Sequence, residues 1–117
     1  MKKIISLLVI CLLMTACGNK GYEVIDTNQA MDIISKGAVL IDVRTSDEYN
    51  REHIPYAVNI PLDQIETINY QKDTTIIVYC QSGMRSREAV NKLVNMGYTN
   101  LYDLDGGLLN WGGSLEE

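Results

Sequence analysis

The residues best suited to chemistry lie between positions 79 and 87, where a cysteine follows an apolar run. The stretch reads Tyr-Cys-Gln-Ser-Gly-Met-Arg-Ser-Arg and comes directly after the apolar residues 75–78. A cysteine at the end of a strand, followed by a short loop and a helix start, receives backbone N–H groups and the positive end of a helix dipole. Because both stabilise a thiolate, Cys80 is predicted to be a nucleophile.

The loop after the cysteine (residues 80–86, the cysteine loop) favours negative charge at the sulfur. Gly83 permits a tight backbone curl, and successive N–H groups in such a curl bind anions. Arg85 and Arg87 add positive charge. Ser86 is expected to hydrogen-bond at the helix start, since the sequence offers it no partnered base. A buried core cysteine is the alternative, and its place at a strand-to-loop junction argues against it.

The first residues are typical of a targeting segment. A basic start precedes the almost wholly apolar run 4–14, which is too short to cross a bilayer comfortably. The small residues before Cys17 resemble a bacterial lipobox, with Met14 where Leu is commoner. Residues 1–16 are therefore predicted to be a lipoprotein-type signal, and Cys17 to carry lipid. The alternative is an ordinary secretory signal cleaved near Ala16.

Processing at this site would leave Cys80 as the one free thiol, because Cys11 leaves with the signal and Cys17 is lipidated. No intramolecular disulfide is then possible, although the compartment can be oxidising. Residues 17–21 would tether a domain of residues 22–117 to the membrane, outside the cytoplasm. Loss of the two lysines in the signal takes the formal net charge from −5 to −7, which argues against nucleic-acid binding.

Strand and helix signals alternate along the predicted domain. Strands are expected at 22–25, 38–41, 57–60, 75–79 and 100–104. Helices are expected from a cap at Asp26 or Thr27 through Ser35, from a cap at Thr45 or Ser46 through about Arg51, and at 84–96, with a weak helical turn at 62–65 and a short helix to Trp111. Alternation of this kind predicts an α/β fold in which a mostly parallel sheet has helices on both faces. Ligands of such sheets bind beyond the carboxyl ends of the strands. Asp42 and Cys80 each follow a buried strand, so both are expected at that edge.

Three ordered signatures give the chain a resemblance to the single-domain rhodaneses, a family of sulfurtransferases. The cysteine loop matches the family pattern Cys-x-x-Gly-x-Arg-Ser/Thr. The upstream signature consists of Asp42-Val43-Arg44, Glu48-Tyr49, His53-Ile54, Ala57 and Asn59-Ile60-Pro61, and the downstream one of 97–101, 104–107 and Trp111. Together they cover about residues 22–112.

The resemblance implies a five-stranded parallel sheet flanked by helices and a two-step reaction on Cys80. The Cys80 thiolate attacks the sulfane sulfur of a donor such as thiosulfate or polysulfide and becomes a persulfide. An acceptor thiol or cyanide then takes the outer sulfur. Neither a metal nor an organic cofactor is implied, because the cysteine itself carries the sulfur. The implied substrate-binding loop consists of Gln81, Ser82, Gly83, Met84 and Arg85.

Other positions that the resemblance carries over are expected to support the site. Asp42 and Arg44 would brace the cysteine loop through a buried ion pair or hydrogen-bond network. His53, the one histidine in the chain, is expected to have a structural hydrogen-bonding role, because geometry must come before pKa in naming a base. Residues 106–107 and Trp111 are expected to serve as turn and packing features.

Two other readings stay open beside the enzyme. Cysteine-type phosphatases use Cys-x5-Arg, whereas Arg85 follows Cys80 with Cys-x4-Arg spacing. The loop is one residue shorter and suits a single sulfur better than a phosphoryl group. A rhodanese-like module that binds a partner or delivers sulfur to one protein is the other reading, although the intact loop favours catalysis. Gln81 stands where many members carry Arg, so thiosulfate is expected to be less preferred relative to polysulfide or a protein persulfide.

Overall fold

The computed structural model describes residues 20–117. The predicted signal segment 1–16 and the lipidation site Cys17 lie outside this range. Within it, no helix combines the length and hydropathy needed to span a bilayer. The elements in chain order are β1 (Glu23–Ile25), α1 (Thr27–Ser35), β2 (Val39–Asp42), α2 (Ser46–Arg51), β3 (Val58–Asn59), a 3-10 helix (Leu62–Thr67), β4 (Ile76–Tyr79), α3 (Met84–Asn95), β5 (Leu101–Leu104) and a second 3-10 helix (Gly107–Asn110).

The five strands form one parallel sheet in the order β1-β5-β4-β2-β3. This confirms the predicted α/β class and the five-stranded parallel sheet. Strand β4 lies at the centre, paired with β2 on one side and β5 on the other. Because Cys80 follows β4 directly, its sulfur lies at the middle of the carboxyl edge of the sheet, where parallel sheets bind ligands.

Alternate side chains of β4 pack into two separate cores, one on each face of the sheet. Ile76 and Val78 join the core formed with α3, whereas Ile77 and Tyr79 join the core formed with α1. These four side chains are completely buried. Burying an aliphatic side chain of this size contributes about 1.5–3 kcal/mol, so the strand that carries Cys80 is firmly held. Helices on both faces are therefore confirmed.

The helix starts differ in a way that matters for the site. Asp26 caps α1 and Thr45 caps α2, each in a reciprocal capping box with the residue three positions on, Gln29 or Glu48. Helix α3 has no side-chain cap, and its N-cap is Gly83 in a left-handed conformation, with φ at 109°. The first N–H groups of α3 are therefore left for another acceptor, which is the sulfur described below.

All five strands begin one residue later than predicted, and β2 and β3 also end at a different residue. The N–H of Ala38 bonds to the carbonyl of Ile33 at the end of α1, so β2 begins one residue later and includes Asp42 as its last residue. Strand β3 is shorter than the predicted 57–60 because the N–H of Ala57 closes a turn onto Ile54. Neither change moves a predicted site residue away from the carboxyl edge.

Candidate active site

The sulfur of Cys80 accepts two backbone hydrogen bonds from its own loop. The N–H of Gly83 lies 3.1 Å from Sγ and the N–H of Ser86 lies 3.3 Å from it. Gly83 is the N-cap of α3 and Ser86 lies in its first turn, and the left-handed φ of Gly83 turns the chain back toward the sulfur. Two N–H groups at the start of a helix stabilise negative charge on one atom.

The cysteine loop is held from behind by the segment after β5. The N–H of Leu108 donates to the Cys80 carbonyl at 2.8 Å, and the N–H of Leu109 donates to the Gln81 carbonyl at 3.1 Å. Gly107 lies so close that a Cβ on it would sit 2.4 Å from the Cys80 carbonyl oxygen. A glycine is therefore required at position 107, and the turn predicted at 106–107 allows the segment after β5 to approach the backbone of the cysteine loop.

Asp42 and Arg44 form a buried ion pair beside the loop. Arg44 Nη2 lies 2.8 Å from Asp42 Oδ2, and the two side chains are 3% and 0% exposed. The same guanidinium donates to the Glu52 carbonyl at 2.6 Å and to Gln81 Oε1 at 3.3 Å. Burial is the largest influence on Arg44 and opposes its charged form, but the hydrogen bond to Asp42 and the nearby negative charges together outweigh burial and raise its pKa. The pair thus fixes the side chain that follows Cys80.

A second ion pair, between Arg85 and Glu48, ties the loop to α2. Arg85 Nη1 and Nη2 donate to the two Glu48 carboxylate oxygens at 2.7 and 3.0 Å. The hydrogen bond from Arg85 is the main reason why the pKa of Glu48 falls to about 2. Sequence reasoning assigned Arg85 to the substrate loop without naming this partner. A guanidinium committed to a carboxylate is also poorly placed to bind a phosphoryl group, which weighs against the phosphatase reading.

The Glu48 ion pair predicts a loss of stability in acid. The pKa of Glu48 is lowered from 4.5 to about 2 in the folded chain. A carboxyl with a depressed folded pKa contributes stability above its unfolded pKa and loses that contribution as pH falls through the folded value. We therefore expect Glu48→Gln to flatten the decline in melting temperature between about pH 4.5 and pH 2.

The matched control for that measurement is Glu66→Gln. Glu66 is 67% exposed and its ion pair with Lys92 is long, at 3.8 Å. Exposed pairs of this kind contribute little, so Glu66→Gln should keep the wild-type acid profile. If Glu48→Gln and the wild type declined equally across this window, the contribution assigned to Glu48 would be wrong.

Ser86 has a partner that the sequence did not suggest. Its hydroxyl lies 2.6 Å from Asp103 Oδ1 and 3.2 Å from the Gly83 carbonyl oxygen. Asp103 lies on β5 and is 2% exposed, and burial raises its pKa. The two residues are seventeen positions apart. Only the order of the strands, which sets β5 beside β4, brings them together.

The remaining predicted residues lie around this centre. Met84 is 82% exposed at the rim of the loop, and Ser82 is exposed as well. Arg87 is exposed and interacts electrostatically with Asp103. His53 makes its contacts away from the cysteine loop. Its ring stacks on the ring of Tyr49 with a centroid distance of 3.8 Å, and its Nδ1 lies 2.9 Å from the backbone carbonyl oxygen of Tyr49. Across residues 20–117 no cluster of three or more His, Cys, Asp or Glu is arranged to hold a metal ion.

An open cavity of about 440 Å³ lies beside the loop and gives access to its edge. Its lining consists of Arg44, Glu48, Arg51, Glu52 and Gln81, which are two cations, two anions and one amide. A larger apolar groove of about 590 Å³ runs between α1 and Trp111, and none of its lining residues belongs to the cysteine loop. The charge-balanced cavity reaches the cysteine loop at Gln81, and a further cavity of about 350 Å³ reaches it at Arg85.

Comparison with known proteins finds relatives by sequence and by fold. Residues 26–114 match the family described as Rhodanese-like domain. Thiosulfate sulfurtransferase 18 of Arabidopsis thaliana is 36% identical over 111 residues, covering 79% of this chain and 81% of that protein. Adenylyltransferase and sulfurtransferase uba4 of Ogataea parapolymorpha is 33% identical over 102 residues, covering 81% of this chain but only 26% of that protein. A rhodanese-like domain protein from Staphylococcus aureus superposes with a TM-score of 0.72 at 31% identity, covering 80% and 96% of the two chains.

Proposed function

The chain belongs to the rhodanese-like family of sulfurtransferases, and from this premise we propose that Cys80 is its catalytic nucleophile and sulfur carrier. The observation that carries the proposal is the pair of N–H groups, from Gly83 and Ser86, that converge on Sγ. They stabilise a thiolate before the reaction, and they are placed to stabilise the negative charge of a persulfide after it.

In the first step the Cys80 thiolate attacks a sulfane sulfur of the donor. A neutral organic trisulfide is attacked at its central sulfur and releases one thiolate, which then takes the remaining thiol group as a disulfide and leaves the persulfide on Cys80. With thiosulfate, the sulfur–sulfur bond breaks, sulfite leaves with the electron pair, and the enzyme holds a persulfide anion. In the second step an acceptor nucleophile, either cyanide or a thiolate, attacks the outer sulfur and the Cys80 thiolate departs. Charge and electrons balance in both steps without a metal or an organic cofactor, because the only group transferred is one sulfur atom.

The burial of the nucleophile limits what can react with it. Cys80 is 1% exposed and sits at the floor of its loop. A slender donor with a terminal or internal sulfane sulfur reaches such an atom more readily than a branched group. Thiosulfate, polysulfides and persulfides all present sulfur in this form, and we propose these as the donor class.

Turnover tests the proposal. The purified protein, given thiosulfate and cyanide, should release thiocyanate and sulfite in equal amounts, and an organic polysulfide should also serve as donor. The same mixture given a thiol in place of cyanide should yield a thiol persulfide. Absence of turnover with every donor and acceptor pair would reject the enzyme, whatever the family of the fold.

Gln81 is expected to set the preference among donors. Its Oε1 accepts from Arg44, and the cavity beside it is charge-balanced, so a dianion gains little there. Gln81→Arg adds one cation near the sulfur and should raise kcat/KM for thiosulfate by roughly fivefold, as a single screened charge would. A neutral organic trisulfide should show little change.

The control for that change is Gln81→Met, which removes the hydrogen bond to Arg44 without adding charge. It should not improve thiosulfate turnover. The gain in Gln81→Arg should also shrink as salt is raised, since the attraction is electrostatic. An equal gain with the uncharged trisulfide would show that Gln81 acts through shape and not through charge.

A partner-dedicated sulfur relay is the second candidate. Two observations favour it: Met84 is 82% exposed at the loop rim, and the guanidinium groups of Arg44 and Arg85 are already committed to carboxylates. A protein acceptor would cover the exposed Met84 side chain, and its binding would not require an unpaired arginine side chain in this domain. In that case the protein should form the persulfide readily but pass sulfur slowly to cyanide or to small thiols.

We also propose that the domain acts outside the cytoplasm on a lipid anchor. The support is the sequence alone: the apolar segment 4–14 and the small residues before Cys17. The mature chain would then begin at Cys17 and meet sulfur donors and acceptors of the cell envelope. Intact mass of the protein from the membrane fraction should show residues 1–16 removed and lipid on Cys17.

A further inference from the structure

Asp103 is a buried carboxylate for which neither ion pair of the site accounts. It is 2% exposed, and it lies on β5 in register with Val78 of β4, two residues before Cys80. A buried acid is costly to retain without hydrogen bonds. The hydrogen bond that it makes toward the site is the one it accepts from Ser86. The hydrogen bond from Ser86 therefore offsets part of the free-energy cost of burying Asp103, and this benefit depends on where the serine lies.

Ser86 connects this carboxylate with the reactive sulfur. Its backbone N–H lies 3.3 Å from Cys80 Sγ, while its hydroxyl lies 2.6 Å from Asp103 Oδ1. A distance of 2.6 Å is typical of a hydroxyl that donates to an ionised carboxylate, and such bonds are stronger than neutral ones. The side chain of Ser86 is thus held on one side while its N–H points to the sulfur on the other.

The second donor belongs to the same turn. The hydroxyl proton of Ser86 is donated to Asp103, and its oxygen lies 3.2 Å from the carbonyl oxygen of Gly83, the residue whose own N–H lies 3.1 Å from Sγ. Helix α3 has no side-chain cap at this end. The hydrogen bond to Asp103 on β5 therefore holds the turn that contains both N–H groups that donate to the Cys80 sulfur.

We propose that Asp103 is a positioning residue for Cys80, acting through Ser86 to hold the two N–H groups on the sulfur. This inference rests on the proposed function only because sulfur transfer is the reaction that the two positioned N–H groups would assist. Asp103 itself does not touch the reacting atoms. Its negative charge works against a thiolate, so the benefit must come from its hydrogen bond and not from its charge.

The test separates the hydrogen bond from the charge. Asp103→Asn and Asp103→Leu both remove the charge and have nearly the same shape, but only asparagine keeps an oxygen that accepts from Ser86. Each is made in the wild-type chain and in Ser86→Ala. The readouts are the rate of persulfide formation from thiosulfate and the ultraviolet absorbance of the Cys80 thiolate at fixed pH. Asp105→Asn, an exposed charge change two residues away, is the matched control.

With Ser86 present, persulfide formation and thiolate absorbance in Asp103→Leu should be about fivefold below those in Asp103→Asn, as expected for loss of one hydrogen bond. In the Ser86→Ala background the two variants should be equal, because no hydroxyl remains to be held. Equality with Ser86 present would overturn the proposal, and so would a difference that persists without it. Melting temperatures verify folding, and Asp103→Ala replaces the leucine variant if that does not fold.

The two readouts also separate this inference from the proposed function. If the wild-type chain took up no sulfur, the sulfurtransferase proposal would fail, yet thiolate absorbance would still compare the variants. If the wild type took up sulfur but the asparagine and leucine variants behaved alike, the role of Asp103 would be rejected while the sulfurtransferase stood.

Discussion

Replacing Cys80 with alanine is expected to abolish sulfur transfer, the largest single effect predicted for this protein. The thiolate is both the nucleophile and the carrier, so no other group can complete either step. Loss of a covalent nucleophile lowers turnover by on the order of a thousandfold or more, which here means to background. Thiocyanate formation from thiosulfate and cyanide measures the loss. The fold should persist, because alanine removes one buried sulfur and its two backbone hydrogen bonds but leaves the rest of both cores and the sheet in place.

Two further variants make this result specific. Cys80→Ser keeps the shape of the side chain but offers a poorly activated hydroxyl, so it should be as inactive as alanine. Cys17→Ala removes the predicted lipidation site, which has no role in the proposed chemistry, and the purified variant should keep full turnover. Turnover that survived in Cys80→Ala would place the chemistry on another residue and contradict the mechanism.

The second large effect is expected from Asp42→Ala, which should destabilise the protein severely. Asp42 is completely buried and Arg44 is 3% exposed, so the substitution leaves a buried guanidinium without its carboxylate. Breaking a buried pair by removing one partner costs about 3–5 kcal/mol. Since small domains have about 5–15 kcal/mol of total stability, the variant should approach unfolding at ordinary temperature. Denaturant unfolding measures the change.

Asp32→Ala provides the comparison within the same chain. Asp32 pairs with Lys36 at 3.1 Å, but both side chains are more than half exposed. An exposed helix pair contributes about 0.3–0.5 kcal/mol, so its loss should be close to the limit of measurement. If the Asp42 and Asp32 variants lost similar stability, the importance assigned to the buried pair would be wrong.

Much of the fold could be predicted because its signals are local. The apolar runs at 38–41 and 75–79 indicate strands buried on both faces, and alternation with amphipathic helices indicates parallel pairing. The helix starts at Asp26 and Thr45 follow from side chains that bond three residues on. Because these signals come from residues close together in the sequence, they are enough to predict the fold class and the position of Cys80 at the carboxyl edge of the sheet.

The ion pair between Glu48 and Arg85 could not be assigned from the sequence. Its partners lie thirty-seven residues apart. Helix α2 and its C-cap residue offer the carboxylates of Asp47, Glu48 and Glu52 to any nearby cation, and only the packed position of α2 against the loop selects among them. The one usable signal was that Glu48 belongs to the upstream signature.

The bond between Ser86 and Asp103 was missed for a related reason. Aspartate on a strand is usually read as a solvated residue at a strand end. Its burial here results from the strand order, in which β5 lies between β1 and β4 and is covered on both faces. Strand order is set by pairing between residues far apart in the sequence, and the residues of β5 alone do not indicate which strands lie beside it.

The central claim is that one sulfur atom is carried on Cys80, and mass spectrometry of the intact protein tests it most directly. After incubation with thiosulfate or a polysulfide and removal of the donor, the wild-type chain should gain the mass of one sulfur atom. Peptide mapping should place the added sulfur on residue 80, and cyanide or dithiothreitol should remove it. The claim would be contradicted if no donor produced an adduct, or if Cys80→Ala acquired the same one.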